Sequence, residues 1–121
     1  MTTSVIGLSI DCADPVVLAR FWSEVLGRPV NPGGDAENAA IDATDPASGP
    51  RLAFHKVPEP KTVKNRLHLD VAPELGEDHA AAVAALRAAG AVPADVGQGP
   101  QVSWVVLADP EGSEFCVLSP R

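Results

Sequence analysis

Residues 5–27 read VIGLSIDCADPVVLARFWSEVLG, and this stretch predicts a β-strand followed directly by an α-helix. In residues 5–12 apolar and polar side chains alternate with a period of two, which is typical of a strand with one face against a core. The helix begins after Asp14, whose side chain can accept from free backbone N–H groups, and Pro15 fits the first helical position. Gly27 supplies the positive φ that ends the helix.

The same order of elements begins again at residue 66. Residues 67–72 (LHLDVA) repeat the pattern of residues 8–13 (LSIDCA), and an alanine-rich helix over residues 77–89 follows, ended by Gly90. A repeat of this length indicates duplicated units, neither of which buries its sheet face alone.

Shorter strands follow each predicted helix. We expect them near residues 29–30, 39–43 and 51–57 in the first half, and near 92–96, 102–108 and 114–118 in the second. The segment Asp109-Pro110-Glu111-Gly112 has the residues of a type I turn, which would join the last two strands into a hairpin.

The sequence therefore predicts an α+β chain of two tandem βαβββ modules. The modules cover about residues 1–57 and 65–121, residues 58–64 link them, and together they form a single domain with a curved, cup-like mixed sheet and helices outside. Short strands leave sheet edges that a second copy would cover, so we expect a homodimer with C2 symmetry.

The alternation also predicts which side chains face inward. Against the helices we expect Leu8, Ile10, Leu67, Leu69, Phe115 and Val117. The opposite faces would carry Gly7, Ser9, Asp11, Arg66, His68, Asp70, Glu114 and Cys116. Because these faces are too polar for a sealed core, two curled sheets would enclose a polar-lined cup in which a small molecule binds.

Composition excludes several classes of partner. The formal net charge of −7 argues against a nucleic-acid or anionic-membrane surface. No run approaches the roughly 18 apolar residues of a membrane span, and the first residues lack the basic region of a signal peptide. Cys12 and Cys116 are too few for a secreted disulfide framework. We therefore expect a cytoplasmic protein with buried free thiols, no nucleic-acid partner and no membrane contact.

Basic residues cluster near the predicted linker. Four of the nine fall between Lys56 and Arg66. This window is either a solvated linker or a local attractor for an anionic small molecule.

Three motifs, in the right order, resemble those of the vicinal-oxygen-chelate superfamily. DPVVLARFWSEVLGRPV, from residue 14, resembles its first-helix signature, and WVVLADPEGSEFCV, from residue 104, resembles its hairpin, with Ser113 in place of the usual asparagine. KNRLHLDV, from residue 64, and Gly90-Ala91 resemble the glyoxalase-like subgroup. The resemblance implies a shared fold with glyoxalase I, extradiol dioxygenases, fosfomycin-resistance thiol transferases and bleomycin-binding proteins, but no single reaction.

The resemblance also implies where a metal would bind. Metal-dependent relatives place ligands on the first and last strand of each module, and the corresponding residues here are Gly7, His55, Arg66 and Cys116. Glycine offers no ligand, a guanidinium repels a cation, and Cys116 stands where the metal enzymes have glutamate. We therefore expect no metal cofactor. If a divalent metal does bind, its candidate ligands are His55, His68 and Cys116.

Without a metal, the cup favours a different chemistry. Arg66 can hold a carboxylate, phosphate or enolate oxygen through its bidentate fork, and His68 can donate or accept a proton near neutral pH. Asp70 either orients these groups or forms an internal ion pair with Arg66. Ser9 and His55 complete the predicted ligand-binding set.

Two further residues allow two interpretations each. Trp104 is either a flat wall for a planar ligand or ordinary core, whereas Trp22 is predicted to be core. Cys116 is either a reactive thiol with a lowered pKa near Arg66 or an inert buried thiol.

Three functions follow. The first is a binding protein that holds a small anionic or aromatic molecule without a metal. The second is a metal-dependent lyase or dioxygenase of the glyoxalase I or extradiol kind. The third is metal-free proton transfer with His68 as the catalytic residue.

Overall fold

The computed structural model describes residues 1–121, except for the side chain of Pro46, and forms two compact units, Met1–Pro60 and Lys61–Arg121. Each unit combines one α-helix with one open, mixed β-sheet, which confirms the predicted α+β class. That the two units make one domain stays a prediction. Among the helices of the described chain, none is both long and apolar enough to cross a membrane.

The first unit contains β1 (Gly7–Cys12), α1 (Pro15–Leu26), β2 (Asn38–Ile41), a short 3-10 helix (Pro46–Ser48) and β3 (Arg51–Lys56). The strand order is β1-β3-β2, with β1 parallel and β2 antiparallel to the central β3. All six residues of β1 pair with β3.

The predicted bounds of α1 are confirmed. The Asp14 side chain accepts a hydrogen bond from the Val17 N–H at 3.2 Å, and Gly27 ends the helix with a φ of 64°. Phe21 and Trp22 are buried and meet edge to face, with ring centroids 5.2 Å apart. Trp22 is therefore core, as predicted.

The strand predicted near residues 29–30 is wrong. Pro29 and Pro32 have no N–H to give to a ladder, and in this segment only the Asn31 N–H reaches a strand, donating to the Ala40 carbonyl at 2.8 Å. The first unit is therefore βαββ and not βαβββ.

The second unit contains β4 (Asp70–Val71), α2 (His79–Ala89), β5 (Val92–Pro93), β6 (Val105–Ala108) and β7 (Glu114–Val117). The strand order is β4-β7-β6-β5, with β4 parallel to β7 and the other pairs antiparallel.

The turn and cap predicted in this unit are confirmed. The Gly112 N–H donates to the Asp109 carbonyl at 2.8 Å, which closes the hairpin between β6 and β7. Gly90 ends α2, as predicted. The helix begins two residues later than predicted because its cap is Asp78, whose carboxylate accepts from the Ala81 N–H at 2.9 Å.

The first strand of this unit is much shorter than the predicted residues 66–72. The register that sets Asp70 opposite Cys116 would set Arg66 opposite Gly112, inside the hairpin turn, where no strand partner exists. Leu67, predicted to face the helix, is instead 86% exposed. Phe115 and Val117 are buried as predicted.

Candidate functional site

A cavity of about 430 Å³ lies in the second unit. This volume falls within the range of about 300–1,000 Å³ that small-molecule sites occupy. Its apolar lining comprises Val96, Trp104, Val106, Phe115 and Leu118. Its polar lining includes Lys64, His68, Asp70, Gln98, Glu114 and Cys116.

Strand register brings part of this lining together. Cys116 lies on β7, in the interior of the sheet, with Asp70 opposite it on β4 and Val106 opposite it on β6. Two neighbouring strands therefore place a carboxylate and a thiol side by side.

The polar corner, defined as His68, Asp70 and Cys116, is the most chemically capable part of the cavity. Nδ1 of His68 lies 3.1 Å from Oδ1 of Asp70, and one donor atom from each of the three residues lies within 4.8 Å of the others. The His68 and Asp70 side chains are 42% and 50% exposed, so both can turn toward a ligand. Because Nδ1 contacts the carboxylate, Nε2 is the ring nitrogen that remains for a bound molecule.

The thiol in this corner is not activated. Burial raises the pKa of Cys116, the nearby Asp70 carboxylate raises it further, and the Lys64 ammonium only partly opposes them. The interpretation of Cys116 as a reactive thiol with a lowered pKa is therefore wrong, and the cysteine is a buried, protonated side chain at neutral pH.

Glu114 fixes the segment that precedes β4. Its carboxylate lies 3.2 Å from the Lys61 ammonium and accepts from the Asn65 N–H at 3.0 Å. Burial raises the pKa of Glu114, but the N–H donors of Asn65 and of its own backbone, together with Lys61, outweigh burial and leave the pKa below its ordinary value. This anchor holds residues 61–65, and with them Lys64, beside the cavity.

Sequence reasoning missed part of this lining. Lys64 was only one member of a basic cluster, and Gln98 lay in a segment with the composition of a turn. Glu114 was placed on the inner face but given no role. The alternation of β7 was the one available signal for Glu114, since it puts this residue on the same face as Cys116.

Arg66 does not join the cavity. It is exposed and absent from the described lining, and Asp70 forms its ion pair with His68 and not with Arg66. The prediction that Arg66 faces the same pocket as His68 is wrong because residue 66 lies before the strand that would have set its direction.

Two other predicted ligand residues belong to the first unit. Ser9 is exposed on β1, and Nδ1 of His55 lies 2.7 Å from Oδ1 of Asn38 on the neighbouring strand. Their part in ligand binding stays a prediction.

The family follows from a comparison with known sequences. The model of the glyoxalase-like domain matches residues 7–118. The chain belongs to the glyoxalase-like domain family. No curated protein matches this glyoxalase-like chain in sequence.

Solved structures share the fold of this glyoxalase-like protein. A glyoxalase/bleomycin resistance protein/dioxygenase family enzyme from Burkholderia phytofirmans PsJN has a TM-score of 0.74 at 18% identity, covering 98% of this chain and 100% of that one. A possible glyoxalase from Bacillus cereus has a TM-score of 0.73 at 17% identity, covering 97% and 99%.

A fosfomycin resistance protein is also similar. A mutant of FosX from Listeria monocytogenes, in complex with Mn(II) and 1S,2S-dihydroxypropylphosphonic acid, has a TM-score of 0.74 at 10% identity and covers 100% of this chain and 93% of that one. At these identities, the likenesses show the fold alone.

The ligand positions implied by the superfamily are only partly suited to a metal. Gly7 lies opposite Arg51 on β3, and a Cβ added at Gly7 would lie 3.1 Å from the Arg51 carbonyl oxygen. Arg66 is an exposed cation. The polar corner, by contrast, offers one nitrogen, one oxygen and one sulfur donor, a set that zinc accepts. The predicted candidate ligands were His55, His68 and Cys116. In the second unit, the third donor beside His68 and Cys116 is Asp70.

Proposed function

We propose that this glyoxalase-like protein binds a small molecule in the cavity of the second unit. The observation that carries the proposal is a 430 Å³ cavity that combines an apolar wall with the His68–Asp70 pair. Trp104 is 40% exposed although it lines this cavity, which is what a flat wall for a planar ligand requires.

The charges of the lining favour an aromatic ligand over a strongly anionic one. Glu114 is neutralised by Lys61, and the single positive charge of Lys64 is offset by Asp70. A planar molecule with one or two hydrogen-bonding groups fits this balance, since its ring would contact Trp104 while a hydroxyl or weak acid would bond to His68.

Tryptophan fluorescence tests the proposal directly. The chain has two tryptophans, Trp22 in the core of the first unit and Trp104 at the cavity, so Trp22→Phe leaves Trp104 as the only reporter. We expect saturable quenching of Trp104 by at least one member of a panel of planar aromatic acids and phenols, titrated in the presence of a chelator.

Two variants control this titration. Trp104→Ala, followed by competition or calorimetry, should weaken binding about tenfold or more, because an aromatic contact is lost. Val92→Ala, on β5 and outside the cavity lining, should bind as the wild type does. The absence of saturable quenching across the whole panel would contradict the proposal.

Proton transfer is a second candidate, and the 3.1 Å contact between His68 and Asp70 favours it. A carboxylate on Nδ1 orients the ring and leaves Nε2 to take a proton from a bound molecule. For any substrate that is turned over, His68→Gln should abolish turnover and leave affinity largely unchanged. Loss of binding without a separate loss of turnover would count against catalysis.

A metal-dependent lyase or dioxygenase is the alternative activity. Chelation distinguishes it from metal-free binding and from metal-free proton transfer. A chelator would abolish turnover by a metal-dependent enzyme and would leave both metal-free functions intact.

A homodimer in the cytoplasm remains part of the proposal. Both sheets are open, with β1 and β2 at the edges of one and β4 and β5 at the edges of the other. Unpaired edges of this kind are commonly covered by a second copy. Sedimentation equilibrium would show a mass of twice 12.5 kDa for a dimer and 12.5 kDa for a monomer.

A further inference from the structure

We propose that residues 65–69, called the strap, have two states and that the Glu114 side chain decides between them. In the state that the structure shows, the strap is anchored to the Glu114 carboxylate. In the other state, β4 is longer by one rung of its ladder with β7. The change alters how His68 is held beside the cavity, so the inference concerns the site of the proposed function but does not depend on what that site binds.

The ladder between β4 and β7 stops one rung before the start of β7. Alternate N–H groups of β7 point toward β4, and that of Cys116 donates to the Leu69 carbonyl at 2.9 Å. Two residues earlier on both segments, the next donor and acceptor are the Glu114 N–H and the Leu67 carbonyl. This bond is not formed in the described chain, although Glu114 belongs to β7.

The Glu114 side chain occupies the donor that this rung needs. Its carboxylate accepts from the N–H of its own residue, which is the N–H that would otherwise donate to the Leu67 carbonyl. The same carboxylate accepts from the Asn65 N–H at 3.0 Å and lies 3.2 Å from the Lys61 ammonium. A carboxylate competes well with a carbonyl for N–H donors, because charge-assisted hydrogen bonds are stronger than neutral ones. The ladder therefore ends where this side chain takes over the backbone donor.

The strap has the sequence of a strand but not the structure of one. Residues 67–71 (LHLDV) alternate apolar and polar side chains, which favours pairing with the apolar residues on the face of Phe115. In the structure Leu67 is instead 86% exposed. An exposed leucine in an alternating segment beside an unused rung is a conflict between local sequence and local structure. Such conflicts are expected at functional sites, and here the conflict borders the cavity.

Different interactions favour the two states. The rung would add one bond from the Glu114 N–H to the Leu67 carbonyl and a second from the Leu69 N–H to the Glu114 carbonyl. It would also bring the exposed Leu67 side chain toward the apolar face of the sheet. The anchored state has the ion pair with Lys61 and the bond from the Asn65 N–H in their place. Removal of the carboxylate should therefore shift the population toward the paired state.

The paired state would hold His68 by its backbone as well as by its side chain. In the structure Nδ1 of His68 lies 3.1 Å from Oδ1 of Asp70, while its backbone lies outside the ladder. With the rung formed, His68 would lie opposite Glu114, and alternation would keep its side chain on the face of Asp70 and Cys116. Glu114 is thus a positioning residue for His68 that acts through the strap.

Amide hydrogen exchange of the ligand-free protein, followed by NMR at pH 7, tests the inference. In the wild type the Leu69 N–H has no acceptor in the described chain, so we expect it to exchange almost as fast as in an unfolded peptide. In Glu114→Ala its exchange should slow by about tenfold or more, because the rung forms. Denaturant unfolding of the same variant should become easier, because the anchor is lost. A purely structural role of Glu114 predicts the opposite at Leu69, since a less stable protein opens more often.

Glu114→Gln is the matched control. It removes the ion pair with Lys61 but keeps an oxygen that accepts from both N–H groups, so Leu69 should exchange as it does in the wild type. If the alanine variant does not fold, Glu114→Val makes the same test with a side chain that suits a strand. The inference is overturned if the releasing variant leaves Leu69 exchange as fast as in the wild type, or if Glu114→Gln slows it equally. A Leu69 amide that is already protected in the wild type would also overturn it.

The exchange experiment uses no ligand, so its outcome is separate from that of the proposed function. If Leu69 gains no protection in the releasing variant while aromatic ligands quench Trp104, the two-state strap is wrong and the proposed function stands. If Leu69 gains protection while no aromatic ligand binds, the reverse holds.

Discussion

The first strands of the two units have similar sequences but very different lengths. Five of the six residues of LSIDCA, residues 8–12, lie in β1, which pairs with β3 over six residues. The matching LHLDVA contributes only Asp70 and Val71 to β4. The difference arises from the partner strand. β3 runs for six residues beside β1, while β7 begins at Glu114, directly after the hairpin turn.

This difference has a functional consequence. In the first unit the polar residues of β1 are fixed by ladder hydrogen bonds. In the second unit His68 lies outside the ladder, so its side chain is positioned by Asp70 rather than by strand geometry. The segment before β4 is held by the Glu114 anchor in place of strand pairing. The unit with less regular structure forms the cavity described above.

Leucine truncation should give the largest contrast between the units. Leu52→Ala on β3 removes a side chain that is 2% exposed and should lower the free energy of unfolding by about 2–5 kcal/mol. The same change at Leu67, which is 86% exposed, should cost less than about 0.5 kcal/mol. Denaturant unfolding followed by fluorescence and circular dichroism measures both. Equal losses would mean that residues 66–69 do form a buried strand.

Removal of the Glu114 anchor should have the next largest effect. Glu114→Ala removes the carboxylate that pairs with Lys61 and leaves the Asn65 N–H without its acceptor, so it should cost about 1–3 kcal/mol. Glu114→Gln keeps an acceptor for Asn65 and should cost less. The same unfolding experiment compares the two variants, and an alanine variant as stable as the wild type would show that the anchor contributes nothing.

The Glu114 anchor also predicts that the stability of the folded chain depends on pH. The pKa of Glu114 is lower in the folded chain than its ordinary value of 4.5, so its stabilisation is present above pH 4.5 and is lost as the pH falls through the folded pKa. The difference in stability between the wild type and Glu114→Gln should therefore shrink on acidification. A difference that is constant from pH 7 to pH 3 would contradict the ion pair.

The two helix caps should be equivalent, in contrast to the two first strands. Asp14→Ala and Asp78→Ala each remove an acceptor for one backbone N–H and should each cost about 0.5–2 kcal/mol. Asn at either position keeps the acceptor and should restore most of the loss. Thermal unfolding of the four variants measures this, and a cap that matters in only one unit would show that the helices are not equivalent.

Ionisation of Cys116 should have the smallest effect on stability, but it should show clearly in the rate at which this thiol is alkylated. Cys12 and Cys116 are both buried, but Cys116 borders the cavity. Because burial raises the pKa of Cys116 above its ordinary value of 9.0, alkylation should be slow at pH 8 and accelerate only above pH 9. Over that range the unfolded thiol ionises first, so stability falls as the pH rises. Fast labelling of Cys116 at pH 7, measured by peptide mass spectrometry, would contradict this description.

Sequence alone predicted the features that are decided locally. The cap at Asp14, the stops at Gly27 and Gly90, and the turn at Asp109–Gly112 each depend on a few consecutive residues. The structure confirms all four. The grouping of His68, Asp70 and Cys116 was also predicted in part, since alternation placed them on one face.

The features that sequence reasoning predicted wrongly depend on distant partners. Alternation at Arg66 and Leu67 indicated a strand, but their direction depends on whether β7 continues beside them, and it does not. No sequence pattern indicated that Arg28 is buried. Its guanidinium donates to the carbonyls of Asp42 and Pro50, which are brought near only by the folded loop. Neither outcome can be read from a periodicity.

The tight pairing of Gly7 against Arg51 limits how this chain could change over evolution. Substitution of Gly7 by histidine, which would place an imidazole on that strand, would push the new side chain against a neighbouring backbone oxygen. The β1–β3 ladder would have to move by a few tenths of an ångström to accept it. A new metal ligand would therefore be accommodated with less backbone movement among the exposed residues around β4 than at residue 7 of β1.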